Sequence, residues 1–358
     1  MHKRLRICKK LCRFVYQLMN RKVNNIKELA HQLQLSPTTV SRVLNGKSDT
    51  YRISESTTKK VVEAARKFHY YPNRIARGLK LEKTETIGLI IPDIANPYFG
   101  SIAKTIGVEA HQRGYSIILC DSLDNVDTET ELLYLLAGRK VDGIIIAPTG
   151  KSNEHVVELQ QQGIPVVVVD RYLQETSLPY VTTDNYAGAL MAVKHLVEMN
   201  HSVVACIQGI QGISANTDRV KGYRDALLMN GMQVNEQLIV GDDFGEMNGY
   251  LQTKKLLSKA IRPTAVFALS NLISLGVLRA LKEEGLKVPD DMSVVSFDEQ
   301  PYSAFLACPM TTVEQPREEI GKLALDLLLK SITEGNSESS GGTMLPPRLI
   351  IRESVKKL

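Results

Sequence analysis

The 358-residue sequence has no apolar run of about 18 residues, so no segment is predicted to span a bilayer. It also lacks the start expected of an exported chain: "MHKRLRICKKLCRFVYQLMNRK" has neither an apolar core nor a small-residue cleavage site. The five cysteines, at 8, 12, 120, 206 and 308, are scattered and odd in number. That fits reduced thiols in a cytoplasmic protein better than a disulfide framework. Cys8 and Cys12 have no second pair beside them, so no metal is expected. Common enzyme signatures are missing as well. No glycine-rich dinucleotide turn sits after a strand, and there is no phosphate loop, Gly-x-Ser-x-Gly elbow or His-Glu-x-x-His pair. His69, His111, His195 and His201 are dispersed and read as helix-end or surface residues. Neither catalysis nor a cofactor is expected.

What the chain does have is an uneven charge distribution. Residues 1–22 hold eight Lys/Arg and no acid, residues 23–81 hold eleven against four, and residues 82–358 hold 25 against 35. The formal values are +8, +7 and −10, which together make the net +5. A basic module for a polyanion attached to an acidic body is the physical reading. Residues 1–23 are expected to be a basic extension, and Met19 could itself begin the working protein.

From residue 26 the text "IKELAHQLQLSPTTVSRVLNG" places Ile26, Leu29, Ala30 and Leu33 at helical spacing. Gln34-Leu35 makes a turn, Ser36 caps a second helix and Pro37 takes its first position. Val40, Val43 and Leu44 face inward, and Asn45-Gly46 ends the helix. A third helix starts at Ser54. Two short helices on a tight turn form a helix-turn-helix, a geometry that also occurs in proteins that never touch DNA. The outward face of the second helix is small and hydroxylic, with Thr38, Thr39 and Ser41, and it carries Arg42. Such a face suits the major groove, where arginine most often reads guanine. Further on, "RIARGLK" (74–80) is short, basic and interrupted by Gly78, which costs about 1 kcal/mol of helix stability relative to alanine.

Beyond residue 85, β-branched runs at 86–91, 115–120, 142–147 and 165–169 alternate with helical segments. A second series follows at 203–207, 237–241, 264–268 and 292–297, and "PPRLIIRES" supplies a further strand. Two series predict two parallel sheets covered by helices. Ligands bind such sheets beyond the carboxyl ends of the strands. The residues there are Asp93 to Phe99, Asp121, Thr149, Asp170-Arg171, Asn216 to Arg219, Asp243-Phe244, Ser270-Asn271 and Asp298. Carboxylates and arginine can pair with hydroxyls while aromatics stack on a ring, which suits a sugar or a purine-like metabolite.

The ordered set "IKELA…LSPTTVSRVLNG…ISESTTKKVVEAA…YYPNRIARGLK…TIGLIIPDIANPYF" resembles the lactose/galactose repressor (LacI/GalR) family of bacterial transcription regulators, from about residue 24 to 352. The resemblance implies an N-terminal all-α helix-turn-helix domain (24–71), a hinge helix and linker (72–84) and an α/β periplasmic-binding-protein-like core (85–358). The core's first subdomain is expected at 85–183 and 315–338, its second at 184–314 and 339–352. Further implications are a homodimer on double-stranded operator DNA, a small-molecule effector, repression as the direction, and no membrane partner. Base contacts fall to Pro37, Thr38 and Arg42, and phosphate contacts to Thr39, Ser41 and Asn45. In the hinge, Leu79 takes the position of a minor-groove wedge and Ile75 packs on its symmetry mate, with Ala76 beside it. The effector positions are Asn96, Tyr98, Phe99, Thr149, Asp170, Arg219, Phe244, Ser270 and Asp298. Two departures stand out: Leu33 where a small residue is frequent, and Ser270-Asn271 where Asn-Asp is frequent. A free-standing transport binding protein would share the body's fold. The 26–80 module and the missing export signal speak against it.

Overall fold

The computed structural model describes residues 23, 25–70, 83–173, 176–335 and 341–358. The chain divides into two compact units, Met1–Glu82 and Lys83–Leu358. The expected hinge element with Ile75, Ala76 and Leu79 lies outside the described residues, as do residues 1–22 with Cys8 and Cys12. Among the described residues no helix is long and apolar enough to cross a membrane.

In the first unit, helices α1 (Ile26–Leu33), α2 (Pro37–Leu44) and α3 (Glu55–Lys67) each begin at a polar cap. Asn25, Ser36 and Ser54 accept hydrogen bonds from the backbone N–H of Glu28, Thr39 and Thr57. Each such cap contributes about 1 kcal/mol. Gln34 turns the chain between α1 and α2 in a left-handed conformation (φ 55°), and Gly46 (φ 67°) follows α2. Leu29, Ala30, Val40, Val43 and Val61 share one small core. The departure at Leu33 is accommodated there, since that side chain is buried among the same residues.

The second unit holds two six-stranded sheets. The first joins β1 (Thr86–Ile91), β2 (Ser116–Asp121), β3 (Gly143–Ile146), β4 (Val166–Val169) and β5 (Tyr180–Thr183) in the order β5-β4-β3-β1-β2. The second joins β6 (Val204–Ile207), β7 (Ile239–Val240), β8 (Ala265–Ala268), β9 (Ser293–Phe297) and β10 (Thr311–Glu314) in the order β10-β9-β8-β6-β7. These five-stranded parts are parallel and repeat one topology. Strands such as "GIII" and "VVVV" are buried along their whole length because helices cover both faces.

The chain's last strands differ from the expected boundary. Thr343–Leu345 (β11) pairs in parallel with β5 and so extends the first sheet, whereas residues 339–352 were all assigned to the second subdomain. Pro346 and Pro347 offer no N–H to a ladder and end that strand. Arg348–Ile350 (β12) then pairs antiparallel with β10. The chain thus passes between the sheets three times: after β5, after β10 and after β11. The long helix after β10, Arg317–Glu334, returns to the first sheet's core through Ile320, Ala324, Leu325 and Leu328.

Candidate functional site

On the first unit, Pro37 and Thr38 are exposed at the start of α2, while Thr39, Ser41 and Arg42 are half-buried. Thr39 and Ser41 take part in local bonds. The Thr39 hydroxyl lies 2.8 Å from that of Ser36, and Asn45 Nδ2 donates to Ser41 O at 2.7 Å and Ser41 Oγ at 3.2 Å. The Arg42 guanidinium lies 3.7 Å from the ring centroid of Tyr51.

In the second unit a cavity of ≈ 330 Å³ opens where the carboxyl ends of both sheets' strands meet. Its walls carry Asn96, Tyr98, Phe99, Asp170, Arg219, Phe244, Ser270 and Asp298, so every expected effector position except Thr149 lines it. Thr149 is instead committed to a buried carboxylate: its N–H donates to Glu129 at 2.7 Å and its hydroxyl at 3.3 Å. His155 holds the same carboxylate at 2.7 Å.

Two of the lining residues are related by the internal repeat. Asp170 follows β4 and Asp298 follows β9, the corresponding strand of the second sheet. Both adopt left-handed backbone conformations (φ 65° and 71°), and each donates its N–H to the adjacent strand, to Val181 O and Val313 O. Aspartate tolerates that region better than most residues. Their carboxylates join through a buried chain of side chains. The Tyr98 hydroxyl lies 2.7 Å from Asp170 Oδ1 and 3.1 Å from Gln315 Oε1, and Gln315 Nε2 donates to Asp298. Tyr98 and Gln315 supply two donors for these three links. A proton on Asp170 supplies the third, which is the direction burial already pushes that carboxyl, against the pull of Arg171 and Arg219. Burial likewise raises Tyr98 well above the usual phenol range.

Arg219 is buried and rigidly placed. Nε donates to Asn185 Oδ1 at 2.8 Å, Nη1 donates to Leu269 O at 2.7 Å, and the guanidinium lies 3.7 Å from the Phe297 ring centroid. Two of its three nitrogens are therefore held within the fold, and the residue lines the cavity. Ser270 and Asn96 do structural work in the same wall. Ser270 Oγ accepts from Ile273 N and donates to Phe244 O at 2.9 Å, and Asn96 Oδ1 accepts from Tyr98 N. Gly209 leaves room for the Phe244 ring, since a Cβ there would lie 2.3 Å from it.

Several lining residues were missed by sequence reasoning, among them Leu123, Asp124, Leu272 and Gln315. Asp121, expected near the site, instead accepts from Ile94 N and shapes the loop after β1. His195 stands in the last turn of its helix, as expected of a helix-end residue, but it and His201 are buried, and burial lowers the pKa of both rings.

The raised pKa of Asp170 has a consequence for stability. The folded state holds this proton more tightly than the unfolded chain, so stability falls as pH rises through the folded-state pKa. The burial penalty is present at neutral pH and relieved as pH falls toward the ordinary value of 3.8. Asp170→Asn should therefore raise the melting temperature at pH 7 by a few degrees, with the gain shrinking on acidification. Thermal melts of both proteins across pH 4–8 check this; a variant that melts below the parent at pH 7 contradicts it.

Residues 25–73 match the family described as bacterial regulatory proteins, lacI family, and residues 84–353 match periplasmic binding proteins and sugar binding domain of LacI family. Catabolite control protein A of Priestia megaterium is 36% identical over 332 residues, covering 92% of this chain and 99% of that protein. A transcriptional regulator CelR–cellobiose complex is 31% identical with a TM-score of 0.71, covering 93% of this chain and 100% of the other. The lac repressor dimer bound to operator and the anti-inducer ONPF is 26% identical with a TM-score of 0.80, covering 93% and 99%. The chain belongs to the LacI family of bacterial regulatory proteins, and it is a DNA-binding transcriptional regulator with an effector-binding core, not an enzyme.

Proposed function

We propose that this regulator is a homodimeric repressor whose grip on a double-stranded operator is set by a neutral, polyhydroxylated effector, a sugar, held between the two core subdomains. The observation that carries this reading is the side-chain chain from Asp170 through Tyr98 and Gln315 to Asp298. It joins the two subdomains through a crossing segment, and all four residues line the cavity. A ligand whose hydroxyls replace those links acts on the relation between the subdomains, which is what an effector must do to distinguish two states. Charge disfavours an anionic ligand. The cavity wall carries Asp93, Asp124, Asp170, Asp243 and Asp298 against Arg171 and Arg219. A flat purine-like ring is the weaker candidate, because Arg171 stands between the aromatic walls, its guanidinium 5.9 Å from Phe99 and 5.7 Å from Phe244. The likeness to a regulator solved with cellobiose points the same way.

On the DNA side, Pro37, Thr38 and Arg42 contact bases, Pro37 through apolar contact alone, while Thr39, Ser41 and Asn45 hold phosphates. The hinge segment with Ile75, Ala76 and Leu79 transmits the core's state by folding on the operator, with Leu79 as the wedge. Pairing with a second copy is in keeping with a relative solved as a dimer.

The test is an operator titration with and without candidate sugars, run beside Arg42→Ala. That variant should lose operator-over-random discrimination by roughly 5- to 100-fold at one base position. Its log–log salt slope should change by no more than about one phosphate contact. An unchanged specificity ratio would refute the assignment of Arg42.

A further inference from the structure

We propose that Tyr51 is a positioning residue for operator recognition, holding the Arg42 guanidinium in a fixed plane from which it reads the base. The proposal rests on the reading above that Arg42 contacts a base edge.

Arg42 lies in the last turn of α2, and Tyr51 lies in the loop between α2 and α3, nine positions on. The guanidinium sits 3.7 Å from the ring centroid, so it is stacked face to ring rather than merely nearby. Stacking occupies the flat face of the guanidinium and leaves its in-plane N–H fork unused. Base recognition needs that fork and does not need the face. One residue can therefore orient the arginine while DNA takes its hydrogen bonds.

The loop that carries the ring is also anchored. Lys47 N donates to Arg42 O at 2.9 Å, Tyr51 N to Lys47 O at 3.2 Å, and Ile53 N to Ser48 O at 2.9 Å. The Thr58 hydroxyl of α3 donates to Ser48 Oγ at 3.0 Å, tying the loop to the third helix. Arg52 takes a left-handed conformation (φ 52°) immediately after the tyrosine. Tyr51 is nevertheless 45% exposed, unlike the buried apolar residues of this small domain. Its ring is not among the side chains that make up the small core or pack on it, and it lies instead against Arg42. An arginine free to rotate gives up side-chain entropy when it meets a base, and one already stacked gives up less.

The experiment uses the full-length protein and compares operator with random DNA. Tyr51→Ala should lower the specificity ratio roughly two- to fivefold, the scale of an exposed cation–π contact. Tyr51→Leu, which keeps apolar bulk without a π face, should show the same loss, and Tyr51→Phe should restore the parent ratio. Binding to random DNA and the melting temperature should stay at parental values in all three. In an Arg42→Ala background, Tyr51→Ala should change the ratio no further. The proposal is overturned if Tyr51→Ala leaves the ratio intact or tightens operator binding. It is also overturned if Tyr51→Phe loses as much as Tyr51→Ala, or if the loss persists without Arg42. Should Arg42→Ala itself keep full discrimination, the base-reading assignment fails and the positioning role falls with it. A loss with Arg42→Ala and none with Tyr51→Ala refutes the positioning role alone.

Discussion

Arg219→Ala should abolish the effect of effector on operator binding while leaving ligand-free operator affinity within about twofold, if the effector acts as an inducer. The reason lies in how the arginine is fixed. Nε and Nη1 are spent on Asn185 and Leu269 O, and the face lies on Phe297, so as the proposed effector contact the group would meet a ligand without reorganising. Hydrogen bonds to a charged group are worth about 1.5–3 kcal/mol each, so losing a pair of them should cut effector affinity by at least about 100-fold. The substitution also leaves Asn185 Oδ1 and Leu269 O without their donor, at a cost of about 1–3 kcal/mol in the fold for each buried group. A thermal melt must therefore accompany the binding data. With a corepressor the same change should instead leave a weak operator binder that ligand cannot rescue, because a ligand shifts an equilibrium only by its differential affinity. Calorimetry with candidate sugars and operator titrations separates the cases. An Arg219→Ala protein that binds effector normally would remove this residue from the site.

The helix-turn-helix was legible because its signals are local. The caps Ser36 and Ser54, the proline at 37 and the stop at Asn45-Gly46 all stand at the helix ends where the structure has them. The long β-branched runs were equally plain. The missed strands are four residues or fewer and rich in threonine: "YVTT", "TTVE" and "TML". Missing β10 carried a direct consequence. Gln315 stands at that strand's carboxyl end, where the rule that found Asp170 and Asp298 would also have found it. Thr149 shows the rule's limit: it follows β3 as expected, but a buried carboxylate twenty residues earlier in the chain claims both its donors. Nothing in the periodicity marks that partner. The stack of Arg42 on Tyr51 was hidden for the same reason, since a loop's path decides which ring meets which guanidinium.

Gly276→Ala should lower the melting temperature of the core by roughly 5–10 °C, corresponding to about 3 kcal/mol of overpacking in a unit of this size. The helices Glu246–Leu257 and Asn271–Glu283 cross with backbone against backbone. A Cβ on Gly276 would stand 2.0 Å from Glu246 O and 2.5 Å from Tyr250 N, and one on Gly249 would stand 2.1 Å from Ile273 O. A clashing side chain could rotate away, but backbone atoms cannot, so the helices must part. Parting them loosens the packing of Leu256, Ile273 and Val277 in the second subdomain's core. It also disturbs the site, because the second helix begins at its cap Ser270, which holds Phe244 O, and carries Leu272 on the cavity wall. Effector affinity should therefore fall together with stability. Gly107→Ala is the matched control: it lies in the helix Pro97–Gln112 with nothing within 4 Å of its Cβ position. There the exchange should be neutral or stabilising by up to about 1 kcal/mol, since alanine is the better helix former. Calorimetric melts of the two variants decide the matter. If Gly276→Ala melts no lower than Gly107→Ala, the close crossing does not hold the wall of the effector site in place.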